Sequence, residues 1–292
     1  MRGFSLDHVG FMVRDLDAGA ALWARLGFRL SPRSPQMGRV PGQLAMAPWA
    51  TANHCAMFQR GYLELIGVVQ ADNFNPWDAF LDRFEGIHII AFRCDDADAA
   101  YAVLTARIGG FDPPLQRQRN APFDGGTRLF RFRNVFSQDD RFPEGRFIVI
   151  EHQTPEVIWQ DALMTHSNGA VAIEEVVFCA DPPASTRRRL AGIIGVAANQ
   201  GRFDLPGGGS TTVLDRAAFK ARFPGAALPR SLPAAAAVVI GVADLARTLA
   251  VLRAAGIDVQ AAKSATIWVP ADAANGAVIA FTQAPRTGPR QC

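Results

Sequence analysis

The chain has 292 residues, of which 49% are hydrophobic and 20% charged, and a formal net charge of +3. This is the composition of a soluble globular protein, long enough for two ordinary domains with full cores. The small, dispersed charge argues against a nucleic-acid partner, Arg187-Arg188-Arg189 reads as a solvated helix face, and no apolar run is long enough to span a membrane.

In chain order, the first predicted strand is Leu6 to Val13, in which Leu6, His8, Gly10 and Met12 share one face and Asp7, Val9, Phe11 and Val13 the other. Asp15 or Asp17 then caps a helix through its carboxylate, Leu16, Ala20, Trp23 and Leu26 form the apolar stripe, and Gly27 ends it. The Pro-, Gly- and Met-rich stretch from Ser31 to Thr51 reads as a long connection. Two strands follow, His54–Gln59 and Tyr62–Val69, with Gln59-Arg60-Gly61 as their turn. A second unit opens on Ile87–Phe92, caps a helix with Asp96, passes Gly109-Gly110, and continues in strands near Leu115–Asn120, Thr127–Val135 and Arg146–His152.

A third unit opens on Ala170–Cys179, and its later strands are obscure in the Gly-rich region around Gly207–Gly209. The fourth opens on Ala235–Val242, with a helix from Asp244 to Ala255 and strands near Ile257–Gln260, Thr266–Val269 and Ala277–Gln283. A fourfold recurrence of about 80 residues is too long for a solenoid and suits paired supersecondary units. The expected division is 1–167 and 168–292, with a frayed tail at Ala284–Cys292. Cys55, Cys94, Cys179 and Cys292 are widely spaced without a CxxC pair, so they read as structural thiols of a reducing, cytoplasmic compartment. No charged-then-apolar leader pattern precedes the first strand.

Candidate chemistry lies in four residues. His8 and His88 sit on opening strands, Glu64 and Glu151 on closing strands, each among apolar neighbours. Buried charges of this kind are costly unless paired or metal-bound, and two imidazoles with two carboxylates suit a divalent transition metal. Asn53, His54, Arg131 and Arg133 are further candidates for binding a substrate. Alternation puts Arg117 and Arg119 on one face and Arg131 and Arg133 on one face; whichever pair lines the site implies an anionic ligand. His152 is expected to point away from Glu151, and His166 to be structural.

The runs LDHVGF and YLELIG, with Ala50-Thr51-Ala52-Asn53 ahead of the second, resemble the vicinal oxygen chelate superfamily and its glyoxalase-like branch. The resemblance covers most of Phe4–His152. It implies an α+β fold of tandem βαβββ units paired into two cupped mixed sheets. It further implies a metal-dependent enzyme holding Zn, Ni, Mn or Fe through His8, Glu64, His88 and Glu151. Enediolate-type proton transfer on a small oxygenated substrate follows, with Glu64 or Glu151 as base and a homodimer among the expected assemblies. By resemblance to extradiol dioxygenases, His8, His88 and Glu151 suffice for Fe(II); other relatives by fold only sequester small molecules. Ala237 and Glu175 fall where His8 stands in the first unit, so the second half is expected to be a metal-free companion that covers the first cup or joins subunits.

Overall fold

Three of the four units start with the same local chemistry. Asp15 accepts a hydrogen bond from the Ala18 backbone N–H, Asp96 from Asp98 and Ala99, and Asp244 from Ala246 and Arg247. Each supplies an acceptor to helix N–H groups that have no partner within the helix. The third unit departs from this: Pro183 stands at its helix N-cap and offers no side-chain cap.

The computed structural model describes residues 3–262 and 265–285. The first unit is β1 (Ser5–Val13), α1 (Leu16–Arg25), β2 (Ser34–Arg39), β3 (Met46–Met57) and β4 (Tyr62–Val68). After a short α2 (Asp78–Leu81), the second is β5 (Gly86–Arg93), α3 (Ala97–Arg107), β6 (Leu115–Phe123), β7 (Gly126–Phe136) and β8 (Arg146–His152). Together they form one eight-stranded sheet, ordered β2-β3-β4-β1-β5-β8-β7-β6. The connection expected from Ser31 to Thr51 instead contains β2 and the start of β3, whose pairing alternates exposed and partly buried residues. Gly61 turns β3 into β4 with φ +78°, and a Cβ there would lie 2.6 Å from the Asp7 carbonyl oxygen. Only glycine satisfies both conditions.

The second half runs β9 (Ala170–Cys179), α4 (Ala184–Ile194), β10 (Arg202–Asp204), β11 (Ser210–Leu214), α5 (Arg216–Arg222), β12 (Ala234–Val242), α6 (Leu245–Ala254), β13 (Gln260–Ala262), β14 (Thr266–Val269) and β15 (Val278–Gln283). Its seven strands are ordered β10-β11-β9-β12-β15-β14-β13. The third unit is thus one strand short, and α5 follows β11. Most of the tail, including Cys292, lies outside the described residues; Cys55, Cys94 and Cys179 are free thiols. Among the described residues no helix is long and apolar enough to cross a membrane.

Both sheets curl, and they meet back to back. Val9, Phe11, Ile90 and Phe92 from the first sheet share one buried cluster with Val176, Phe178, Val238, Ile240 and Phe281 from the second. Polar contacts tie the same seam. Fully buried Glu144 accepts from Thr186 and Arg189, and Arg60 pairs with Glu174 at 2.7 Å. The second half therefore supports the first cup from behind. Of the two placements expected for it, over the first cup or at a subunit contact, the first is not what is seen, because its apolar residues pack on the convex side of the first sheet.

Candidate active site

The concave face of the first sheet is set by two irregularities where β1 meets β5. Their register shifts between Leu6 and His8, and again between Gly10 and Phe11. The extra residues are Asp7 on β1 and His88 on β5. A bulge breaks the two-residue alternation and re-aims a side chain. Aligning the helix caps Asp15 and Asp96 sets His8 against Ile89, and Asp7 against His88. The two histidines are thus one residue out of step.

Asp7 is fully buried and organises the site. It accepts from His8 Nδ1 at 2.8 Å, His152 Nε2 at 2.9 Å and Arg93 Nε at 3.0 Å. Burial alone would raise its carboxyl. The charge and hydrogen bond of His152, the hydrogen bond of His8 and the Arg93 guanidinium outweigh that and hold it well below the usual range. An ionised carboxylate only accepts, so His8 donates from Nδ1 and leaves Nε2 to the cup. There Nε2 stands 4.0 Å from Glu64 Oε2, and Glu64 Oε1 accepts from Asn53 Nδ2. The His8 ring stacks on Tyr62 with centroids 4.5 Å apart. Burial, with Asp7, Glu64 and Cys55 adding, pushes the Tyr62 hydroxyl well above its ordinary value, so it stays a phenol. Burial and Glu64 likewise push the Cys55 thiol up.

The segment after β8 covers this end of the cup. Trp159 donates to the Phe58 carbonyl, lies under the Arg93 guanidinium at 4.3 Å, and meets the rings of Tyr62 and His152 edge-on. Water is thereby kept from the Asp7 carboxylate and its His152 partner, which strengthens that contact. At the other end Trp77, Phe80 and Leu81 pack on Met12, Ile66, Ile89 and Ile150.

Of the four expected ligands, the structure brings His8 and Glu64 together and separates the other two. His88 donates from Nε2 to the Phe84 carbonyl at 2.8 Å and is stacked on the Phe84 ring at 4.2 Å. Burial, with Arg83 adding, lowers it to about 4, so it is neutral near pH 7; its Nδ1 is buried without a partner. Glu151 lies on the opposite face, where it accepts from the Ala97 N–H at the start of α3 and stands 3.5 Å from Arg133. Its neighbour His152 points into the cup instead. Among the described residues no group of three or more His, Cys, Asp and Glu side chains is arranged to hold a metal ion. Asp7 is already engaged by three donors, and His8 with Glu64 offers only two ligands. The residues present therefore do not fit the divalent metal that the resemblance implies.

The other candidates divide by strand face. Asn53 faces the cup; His54 faces away and bonds to the Ser31 carbonyl. Arg133 is on the helix side, gripping Asp98 with two nitrogens, and exposed Arg131 shares that side. Arg117 and Arg119 are the inward pair, opposite Phe132 and Phe130. His166 is structural, as expected: Nε2 donates to the Met57 carbonyl and Nδ1 accepts from the Arg29 N–H. Asp7 and Arg93 are not marked by the sequence pattern, and His152, expected on the side away from the cup, enters it. The available signal was the distance from each histidine to its helix cap, which differs by one residue between the two units.

In the second half the concave face is filled from within. Phe219 and Phe223, from α5 and its end, pack with Ala237, Val239, Trp268 and Val278. Glu175 is almost fully buried and takes both Arg222 nitrogens, at 2.8 and 2.7 Å. Where His8 stands beside Glu64 on the concave face in the first half, Glu175 here holds a helix in place.

A family profile described as a glyoxalase-like domain matches residues 6–194. No curated protein sequence matches. Among solved structures, a hypothetical protein from Staphylococcus aureus aligns with a TM-score of 0.61 at 13% identity, over 96% of this chain and 100% of that one. A variant of 4-hydroxymandelate synthase from Streptomyces coelicolor aligns at 0.57 and 12%, over 99% and 95%. A xylose isomerase-like TIM barrel/4-hydroxyphenylpyruvate dioxygenase fusion protein aligns at 0.57 and 13%, over 97% of this chain and 50% of its own length. At such identities the likeness is one of fold.

Proposed function

Because the chain belongs to the glyoxalase-like domain family, we propose that its first cup, within residues 1–167, binds a small oxygenated molecule and moves a proton on it. Residues 168–292 serve as the supporting half. The observation that carries this reading is the pair of Asp7 and His8. A buried, ionised carboxylate holds one imidazole nitrogen and leaves the other facing a second carboxylate. That is the arrangement of a general base whose tautomer and orientation are fixed.

The chemistry follows from the spacing. A substrate hydroxyl can donate to Glu64 Oε2 while the C–H beside it faces the unprotonated His8 Nε2, given that the two groups are 4.0 Å apart. His8 then takes the proton from a carbon next to a carbonyl, and the electron pair moves onto the carbonyl oxygen. Glu64 passes the substrate hydroxyl's proton to the developing oxyanion, and return of the first proton from His8 to the former carbonyl carbon completes an isomerisation that needs no oxidant. Neutral Tyr62, stacked on His8, supplies a hydroxyl beside the developing oxyanion. The dioxygenase reading suggested by two structural neighbours requires His8, His88 and Glu151 in one sphere, and Glu151 lies on the far face of the sheet.

The test is solvent exchange. Chelator-treated protein in D2O is incubated with lactaldehyde, dihydroxyacetone, pyruvate and hydroxypyruvate, and loss of the α C–H signal is followed by NMR. The expected result is exchange in at least one probe with the unaltered protein and none with His8→Gln. Equal exchange in both proteins would refute it. So would activity restored only by a stoichiometric metal that both His88→Ala and Glu151→Ala abolish.

A further inference from the structure

The inward-facing arginines of β6 are used by nothing described so far. Arg117 and Arg119 stand opposite Phe132 and Phe130 in the β6–β7 hairpin, on the face that β7 and β8 turn to the cup. The Arg119 guanidinium lies 5.5 Å from the Phe130 ring centroid, and that ring stacks on His152 at 5.7 Å. Ala121, the next inward residue on β6, packs in one cluster with Met57 and Tyr62 from β3 and β4. Arg119 is thereby brought across the cup from Cys55 and Glu64, the next inward residues on those strands.

Neither guanidinium has a carboxylate within ion-pair distance among the described residues, whereas outward Arg133 holds Asp98 with two nitrogens. Arg117 and Arg119 are both only partly exposed. Two partly desolvated cations facing the same space, with Glu64 across the cup but no carboxylate in contact with either, leave room for an anion between them. The positive charge of Arg119 is felt at Cys55 and Tyr62, consistent with a side chain directed at the site.

We propose that Arg119, with Arg117 beside it, anchors a carboxylate of the ligand in the first cup, opposite His8. This rests on the reading of that cup as the reactive site and narrows its ligand to small molecules bearing a carboxylate next to the oxygenated carbon. A planar guanidinium matches a carboxylate with two parallel hydrogen bonds, and the Phe130 ring beneath Arg119 fixes the plane in which they form.

Matched acid and amide probes test it. Binding of lactate, mandelate, lactamide and mandelamide is measured by calorimetry on the full chain at fixed low salt. The expected result is that at least one acid binds, and that Arg119→Gln weakens it about 10- to 100-fold, the loss for a charged hydrogen-bond pair. Arg119→Lys should recover part of the loss, the amides should be indifferent to the change, and outward Arg131→Gln should have no effect. Equal weakening of acid and amide, no effect of Arg119→Gln, or no binding of either acid would overturn the proposal. His8→Gln separates the two readings, because it should retain acid binding while losing proton exchange. Exchange that survives His8→Gln alongside an intact Arg119 effect defeats the proton-transfer reading alone. Exchange lost in His8→Gln with Arg119→Gln silent defeats the anchor alone.

Discussion

Replacing His88 with glutamine should flatten the acid side of the stability curve. The imidazole is fully buried, donates to the Phe84 carbonyl and sits at about 4 when folded, because burial and then the nearby Arg83 charge disfavour the cation. The unfolded chain titrates near 6.5. Between those values the unfolded state binds the extra proton and the native state does not, so stability rises with pH. The contribution is complete above about pH 6.5 and is lost as pH falls toward 4. Two and a half pH units of linkage correspond to about 3 kcal/mol. Glutamine keeps a donor for the carbonyl and cannot titrate. The assay is urea unfolding of both proteins from pH 4 to 7.5, with the slope against urea checked to be unchanged. Asp7 and the other carboxylates titrate alike in both and cancel in the difference. The native protein should lose about 3 kcal/mol relative to His88→Gln on going from pH 7 to pH 4. Parallel curves, or a relative gain on acidification, would refute the reasoning.

Asp7→Asn leaves three donors facing a group that can accept fewer of them and itself donates; the loss should be about 3–5 kcal/mol in urea, with proton exchange abolished. Its acid sensitivity should also change: the depressed Asp7 carboxyl contributes stability above the unfolded carboxylate range that is lost as pH falls through its lower folded value, and the variant lacks that loss. Glu151→Gln keeps an acceptor for the Ala97 N–H, so thermal or urea unfolding should show a cost of about 1 kcal/mol and exchange activity should be unaffected. Arg222→Ala strips buried Glu175 of its bidentate partner and should destabilise by about 3 kcal/mol in urea melts, while calorimetry shows carboxylate binding in the first cup unaltered.

The framework of the fold was legible in residues with fixed conformational roles. Asp15, Asp96 and Asp244 open helices by capping, and Gly27 and Gly61 take the positive φ their turns need, so the repeat could be counted. His8, Glu64 and Asn53 were also within reach, because regular alternation puts them on one face. Alternation fails at a bulge, however. One extra residue at Asp7 and another at His88 turned a buried aspartate into the centre of the site and a histidine into a packing residue. On β8, Glu151 and His152 are adjacent and so must face opposite ways; only the tertiary register with β7 and β5 decides which of them enters the cup. The choice between the two arginine pairs was open for the same reason. In the second half, the helix that fills the cup begins just past the Gly-rich stretch, and its role is defined by long-range packing with Trp268 and Ala237 rather than by any local pattern.

The proposed chemistry depends on Asp7 holding His8 as a proton-transfer group, with His88 and Glu151 outside the site. Long-range proton–nitrogen spectra of the imidazoles, in chelator-treated protein near pH 7, test it most directly. His8 should carry its proton on Nδ1 in the native protein and lose that preference in Asp7→Asn, His88 should carry its proton on Nε2, and added Zn2+ should leave His88 unmoved. A His8 protonated on Nε2 with bare Nδ1, or metal-induced shifts of His8 and His88 together that vanish in Glu151→Gln, would contradict it.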